Sequence, residues 1–179
     1  MLSGLTSPPR SLLDIGGGVG VLQHELAAAG TSEITAVDAA VAYLETTRTE
    51  AARRGSSGQW RFVEGDFVEL APGIVGAELV TLDKVICCYP DMAALVGASA
   101  AKALQWYAIV VPRDRWWIRW GSHVGNVFLR LFGFRFRSFV HPLFAIDREV
   151  VRQGLSLAQW QDRLVWTVRL YRRGPTSVS

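Results

Sequence analysis

Between residues 11 and 21 the chain passes from an apolar run, Ser11-Leu12-Leu13-Asp14-Ile15, through Gly16-Gly17-Gly18-Val19-Gly20 into a helical pattern. Glycines at 16, 18 and 20 allow a sharp turn and leave no Cβ between backbone and ligand. A helix starting there directs unbonded N–H groups at whatever rests on the turn. The order strand, glycine turn, helix suits any nucleotide-binding α/β crossover, and Asp14 narrows the ligand. A carboxylate at the carboxyl end of the strand repels a pyrophosphate, but it pairs with a cationic amine or accepts its hydrogen bonds. The spacing also departs from the dinucleotide fingerprint G-x-G-x-x-G: counted from Gly16 or from Gly18, the third glycine falls at Val21 or Gln23.

Three more acids stand at expected strand ends. Ile34 to Asp38 reads as a second strand, with Asp38 24 residues after Asp14 and Ala39 beside it, close to the interval at which an acid reaches ribose hydroxyls in such crossovers. Trp60 to Phe67 reads as a strand and turn carrying Asp66. Leu79 to Val85 reads as a fourth strand and its exit, with Asp83 and Lys84. Any single Asp here has an alternative role as the cap of the following helix, which explains the ordered set less well.

Asp14 to Gly20 resembles the first motif, D-x-G-x-G-x-G, of class I S-adenosylmethionine (SAM) methyltransferases. The resemblance implies SAM as cofactor, with Asp14, Gly16, Gly17, Gly18 and Gly20 forming the first motif and Asp38 with Ala39 at the ribose. Asp66 then takes the adenine amino group, Phe67 packs on the ring, and Asp83 with Lys84 lines the cofactor near the reactive methyl. Further runs, Gln23-His24-Glu25-Leu26, Gly65 to Leu70, Leu82 to Asp91, Pro112 to Trp117 and Phe139-Val140-His141-Pro142, look together like a bacterial group of methyltransferase-domain proteins of unassigned substrate, over Ser11 to Arg172. Magnesium-protoporphyrin O-methyltransferases look like more distant relatives. The family usually carries helices ahead of the first strand, whereas ten residues precede it here, so a short N-terminal cover is expected.

Periodicity supplies the other elements. Helices are expected over Val19 to Ala29, Val41 to Arg54 (with Val41, Leu44, Thr47 and Ala51 on one face), Met92 to Leu104 and Pro142 to Gln153. Strands are expected over Trp106 to Val111, Leu155 to Gln161 and Leu164 to Tyr171. Strands alternating with helices imply an α/β domain with a mostly parallel sheet covered on both faces. The resemblance adds a Rossmann-like topology of seven strands, the last antiparallel. The 179 residues then form one domain, and neither an internal repeat nor a linker interrupts it.

Charge is divided unevenly. Residues 1–112 hold seven Lys and Arg against twelve Asp and Glu, and residues 113–179 hold twelve against four. An acidic cofactor half disfavours nucleic acid, for which no recognition motif appears, and assigns the basic charge to a local segment. That segment is residues 113–139, an insertion with Trp116, Trp117, Trp120, Phe128, Phe132, Phe134 and Phe136 among six arginines, including Arg119, Arg130, Arg135 and Arg137. Val124, Val127, Phe128 and Leu129 to Phe132 outline an apolar helical face. Three roles fit: a lid over an apolar or acidic small-molecule substrate, a dock for a membrane surface, or a helix completing the core. With no secretory leader and no apolar run long enough to span a bilayer, a cytoplasmic enzyme is expected. The adjacent Cys87 and Cys88 suit neither a disulfide framework nor a metal site, and no metal is implied by His24, His123 and His141.

Methyl transfer from a sulfonium is an in-line displacement, so an enzyme must align two partners, exclude water and, for an oxygen nucleophile, sometimes take a proton. His141, in the turn after the insertion, is the first candidate base and Tyr89, in the loop after strand four, the second; a capping or packing role is the alternative for His141. Tyr89-Pro90 lacks the Asn/Asp-Pro-Pro-Tyr signature of amino-group methyltransferases acting on bases or glutamine, which favours an O, C or S acceptor. Binding of SAM without independent turnover and, further off, a nucleotide-dependent oxidoreductase are the other readings.

Overall fold

Leu12 and Leu13 are neighbours in sequence, and both are buried, on opposite faces of one sheet. Side chains of a strand alternate between faces, so a strand covered on both sides reads as continuously apolar. The computed structural model describes residue 5 and residues 7–56, 58–132 and 139–174, the side chains of residues 119, 126, 127 and 129 excepted. Phe134, Arg135, Phe136 and Arg137 of the insertion lie outside the described residues.

The strands are β1 (Ser11–Ile15), β2 (Glu33–Asp38), β3 (Gln59–Glu64), β4 (Ala77–Asp83), β5 (Ala103–Pro112), β6 (Leu155–Asp162) and β7 (Trp166–Arg173). They form one sheet in the order β3-β2-β1-β4-β5-β7-β6. The first five are parallel and β7 runs antiparallel to β5 and β6, as the resemblance implied. The helices are α1 (Val21–Ala29), α2 (Val41–Arg53), the single turn α3 (Phe67–Leu70), α4 (Met92–Ala101), α5 (Trp116–Leu131) and α6 (Leu143–Arg152).

One face of the sheet packs Leu13, Val80, Leu82, Ile109 and Val111 against Phe67 of α3, Leu95 and Val96 of α4, and Ile146 and Val150 of α6. The other packs Leu12, Ile34, Leu79, Ala108 and Leu170 against Leu26 of α1. Each such Leu or Ile contributes about 1.5–3 kcal/mol relative to an exposed position. Polar ties orient the helices further: Arg169 and Tyr171 of β7 both donate to Asp147 of α6, the latter at 2.6 Å, and Asp91 caps α4 by accepting from the Ala94 N–H at 3.0 Å. On α2, Leu44, Thr47 and Ala51 are buried as the periodicity requires, whereas Val41 at its first turn is exposed.

Boundaries differ from the sequence reading where one backbone angle decides. α1 starts at Val21 rather than Val19, because Gly20 is left-handed (φ 76°) and still belongs to the turn. β4 stops at Asp83, since Lys84 has φ 61° and leaves the strand direction. α4 ends at Ala101, and β5 begins at Ala103 because Ala103 pairs with Ala77. The insertion's helix α5 leaves most of its large apolar side chains exposed, so it does not complete the core. Among the described residues no helix is long and apolar enough to cross a membrane.

Candidate active site

Parallel strands β1, β2 and β4 deliver their carboxyl ends, and with them Asp14, Asp38 and Asp83, to one side of the molecule. In open α/β sheets ligands bind outside those ends. The glycine turn begins there. Gly16 (φ 65°), Gly18 (φ 58°) and Gly20 (φ 76°) all occupy the left-handed region, which side chains rarely tolerate. The Gly16 N–H bonds the Val37 carbonyl at 2.7 Å, drawing the turn against β2. Gly17 is required for a different reason: a Cβ there would stand 1.9 Å from Oδ2 of Asp14.

Asp14 is fully buried behind this turn. It accepts from Thr81 Oγ1 at 2.5 Å and Gln23 Nε2 at 2.7 Å. Burial pushes its carboxyl up to about 6, against the pull of those two hydrogen bonds, and nearby Asp83 and Asp38 push the same way. Asp14 therefore braces the turn from beneath. The sequence marks Thr81 only as a lone hydroxyl inside the apolar run of β4 and gives no sign that Gln23 meets Asp14.

A cavity of about 170 Å³ opens at the strand ends, and six of the residues chosen from sequence line it: Gly16, Asp38, Ala39, Asp66, Phe67 and Tyr89. Val85 forms another wall and packs on Gly16, where a Cβ would approach it to 2.6 Å. Asp38 accepts from the Ala40 N–H at 2.8 Å and the Gly18 N–H at 3.4 Å, so one carboxylate joins the glycine turn to the start of α2. Asp66 caps α3 through the Val68 N–H at 2.8 Å. Its two oxygens also receive the Tyr89 phenol, at 3.0 and 2.9 Å. Burial and the Asp66 carboxylate push the Tyr89 hydroxyl up to about 12.

The other residues that the sequence points to stand outside the cavity wall. Gly17, Gly18 and Gly20 shape the turn, and nothing lies within 4 Å of a Cβ built on Gly18, which faces open space. Asp83 and Lys84 sit at the exit of β4 with 4.0 Å between Oδ1 and Nζ, and the Lys84 ammonium lies 5.4 Å from the Trp166 ring centre, over β7. His141 stacks on Phe139 at 5.8 Å, and its Nε2 donates to the Tyr89 carbonyl at 3.1 Å. That bond fastens the return of the insertion to the loop forming the cavity wall. A larger, more open groove of about 640 Å³ between α1 and α2 contains none of these residues.

Among the described residues the lining has two carboxylates and neither lysine nor arginine, a lining that disfavours phosphates and fits a cationic or hydroxyl-rich ligand. A methyltransferase-domain family model matches residues 12–111, from β1 through β5. The chain belongs to the class I SAM-dependent methyltransferase family. No curated protein matches the sequence at a significant level. Among solved structures, this methyltransferase is similar to magnesium protoporphyrin IX methyltransferase from Synechocystis PCC 6803 with bound S-adenosylhomocysteine (SAH). The identity is 20% and the TM-score 0.74, over 93% of this chain and 75% of that one. It is also similar to a SAM-dependent methyltransferase from Methanosarcina mazei (12% identity, TM-score 0.78, 96% of each chain). A third likeness is to an O-methyltransferase family protein from Burkholderia thailandensis (15% identity, TM-score 0.77, 94% of this chain and 52% of that one). At these identities the likeness is one of fold.

Proposed function

We propose that this methyltransferase acts on a small apolar acceptor through an oxygen, carbon or sulfur atom, and that it does so by alignment rather than by a strong side-chain base. The observation carrying this reading is the convergence of Gly16, Asp38, Asp66 and Phe67 on one cavity at the strand ends. SAM, when bound, supplies an electrophilic sulfonium methyl. Asp38 is suited to the ribose hydroxyls because its carboxylate faces the cavity and, among the described residues, accepts from the backbone N–H groups of Gly18 and Ala40. Asp66 is suited to the adenine amino group, and Phe67 beside it to the ring. The open space above Gly18 admits the amino-acid end of the ligand, with Asp14 holding the turn in shape.

The contacts of the two candidate bases support alignment as the main contribution. The Tyr89 proton is held on Asp66 and its hydroxyl is pushed up to about 12, far above the range useful near neutrality. His141 spends its Nε2 hydrogen on the Tyr89 carbonyl, which suits a positioning role. Proximity and orientation alone supply about 7–11 kcal/mol in favourable intramolecular reactions. The absence of the Asn/Asp-Pro-Pro-Tyr run supports a non-amino acceptor, and the O-methyltransferase name of one structural neighbour supports oxygen. Transfer of a labelled methyl from SAM into a panel of apolar phenols, carboxylates, thiols and amines tests the reading. Labelling confined to the amines would refute it.

A further inference from the structure

Helix α5 carries its apolar side chains outward. Trp116, Trp120, Phe128 and Leu131, with Phe132 at its carboxyl cap, are each between 57% and 79% exposed, and Trp117 is 41% exposed. Steps of four residues from 116 through 120, 124 and 128 to 132 drift by about 40° each, so these groups form a band that winds over roughly half of the helix circumference. Among the described side chains of α5 only Ile118 is buried, and the helix makes no extensive contact with any other element. Exposed patches of this kind mark interaction surfaces.

The charge around the band selects the partner. Residues 113–132 contain four arginines and one aspartate. Arg115 at the head of α5 and Arg130 in its last turn are exposed. The β6–β7 turn lies beside that head: the Arg113 N–H bonds the Val165 carbonyl at 2.8 Å, and its guanidinium reaches Asp162 at 3.1 Å and the Arg163 carbonyl at 3.2 Å. This brings the exposed Arg163 and Leu164 to the same region. Two copies of this chain pairing band to band would set arginines of one against arginines of the other. Tryptophans on one face and arginines at its borders are instead the pattern of a helix lying in the plane of a lipid interface.

We propose that α5 docks this methyltransferase on an anionic lipid surface, with Trp116, Trp120, Phe128 and Leu131 inserted among the acyl chains and Arg115 and Arg130 at the headgroups. At 16 residues the helix is about 24 Å long, enough to lie in the interface. The return from the insertion is bonded to the cavity loop, Phe139 N–H to the Cys87 carbonyl at 2.7 Å and His141 to the Tyr89 carbonyl at 3.1 Å. Phe139 follows the end of α5 by eight positions, so the docked helix is tethered to the loop that carries Tyr89, and the acceptor class such docking serves is an apolar molecule dissolved in the bilayer. That extension rests on the acceptor reading above; the surface itself does not.

Sedimentation of the full chain with phosphatidylglycerol or phosphatidylcholine vesicles tests the surface. Binding to phosphatidylglycerol at low salt is expected, falling steeply as salt is added, with phosphatidylcholine at least about tenfold weaker. Replacing Trp116→Ser together with Trp120→Ser should weaken binding at least about tenfold while leaving the melting temperature and SAH affinity unchanged. Arg115→Glu with Arg130→Glu should remove the salt-dependent part. Failure of the wild type to bind phosphatidylglycerol at low salt overturns the proposal. So does binding that survives both double substitutions, or a dimer that the tryptophan pair dissolves. A wild-type chain that binds vesicles but not SAH would leave this surface standing and refute the cofactor-site reading instead.

Discussion

Tyr89 Oη stands 3.0 and 2.9 Å from the two carboxylate oxygens of Asp66, closing one side of the cavity with a single phenol. A hydroxyl held in this way, and pushed up to about 12, cannot collect a proton from an acceptor near neutrality. Tyr89→Phe should leave turnover within about threefold of wild type and the pH profile unchanged, on the general-base scale of a hundredfold or more. Steady-state rates from pH 6 to 9 check this. A hundredfold loss would return the phenol to the chemistry.

Asp38 faces the cavity without a cationic partner among the described residues. Asp38→Ala should weaken SAM and SAH alike by about 1.5–3 kcal/mol, the scale of hydrogen bonds to a charged group. Calorimetric titration of both ligands gives the answer, with a melting curve to separate ligand contact from loosening of the turn. Unchanged affinity in a folded variant would remove Asp38 from the ribose position.

Asp14 predicts a pH dependence of stability. Its native carboxyl is raised from 3.8 to about 6 by burial, so the folded chain holds this proton more tightly than the unfolded chain. The stability associated with that proton is fully present below about pH 4, declines as pH rises through about 6 and is gone above it, a loss of about 3 kcal/mol at most. Asp14→Asn lacks this titration, and its stability relative to wild type should rise across that window. Urea unfolding at a series of pH values measures the difference; a constant offset would mean that Asp14 stays ionised throughout.

His141 is expected to position the loop rather than carry a proton. His141→Gln retains a side-chain N–H for the Tyr89 carbonyl and should keep turnover within about threefold, whereas His141→Ala should raise KM more than it lowers kcat. A rate loss in the Gln variant of about a hundredfold, with kcat falling and KM unchanged, would assign proton transfer to the imidazole.

The crossover was readable from local chemistry alone. An apolar strand, three left-handed glycines and a helix are properties of neighbouring residues, and the acids at the ends of β1, β2 and β4 fall together because parallel strands end on one side. The bonds that tune the site were not readable. Thr81 reaches Asp14 across 67 positions, Tyr89 reaches Asp66 across 23, and His141 reaches the Tyr89 carbonyl across 52; spacing along the chain does not encode which side chains meet. Periodicity likewise outlines an apolar face on the helix of the insertion but does not say what covers it. Only the packing of the other helices onto the sheet, which already buries Leu13, Val80 and Ile109 completely, leaves the tryptophans of α5 to solvent, because burial depends on neighbours from the whole chain.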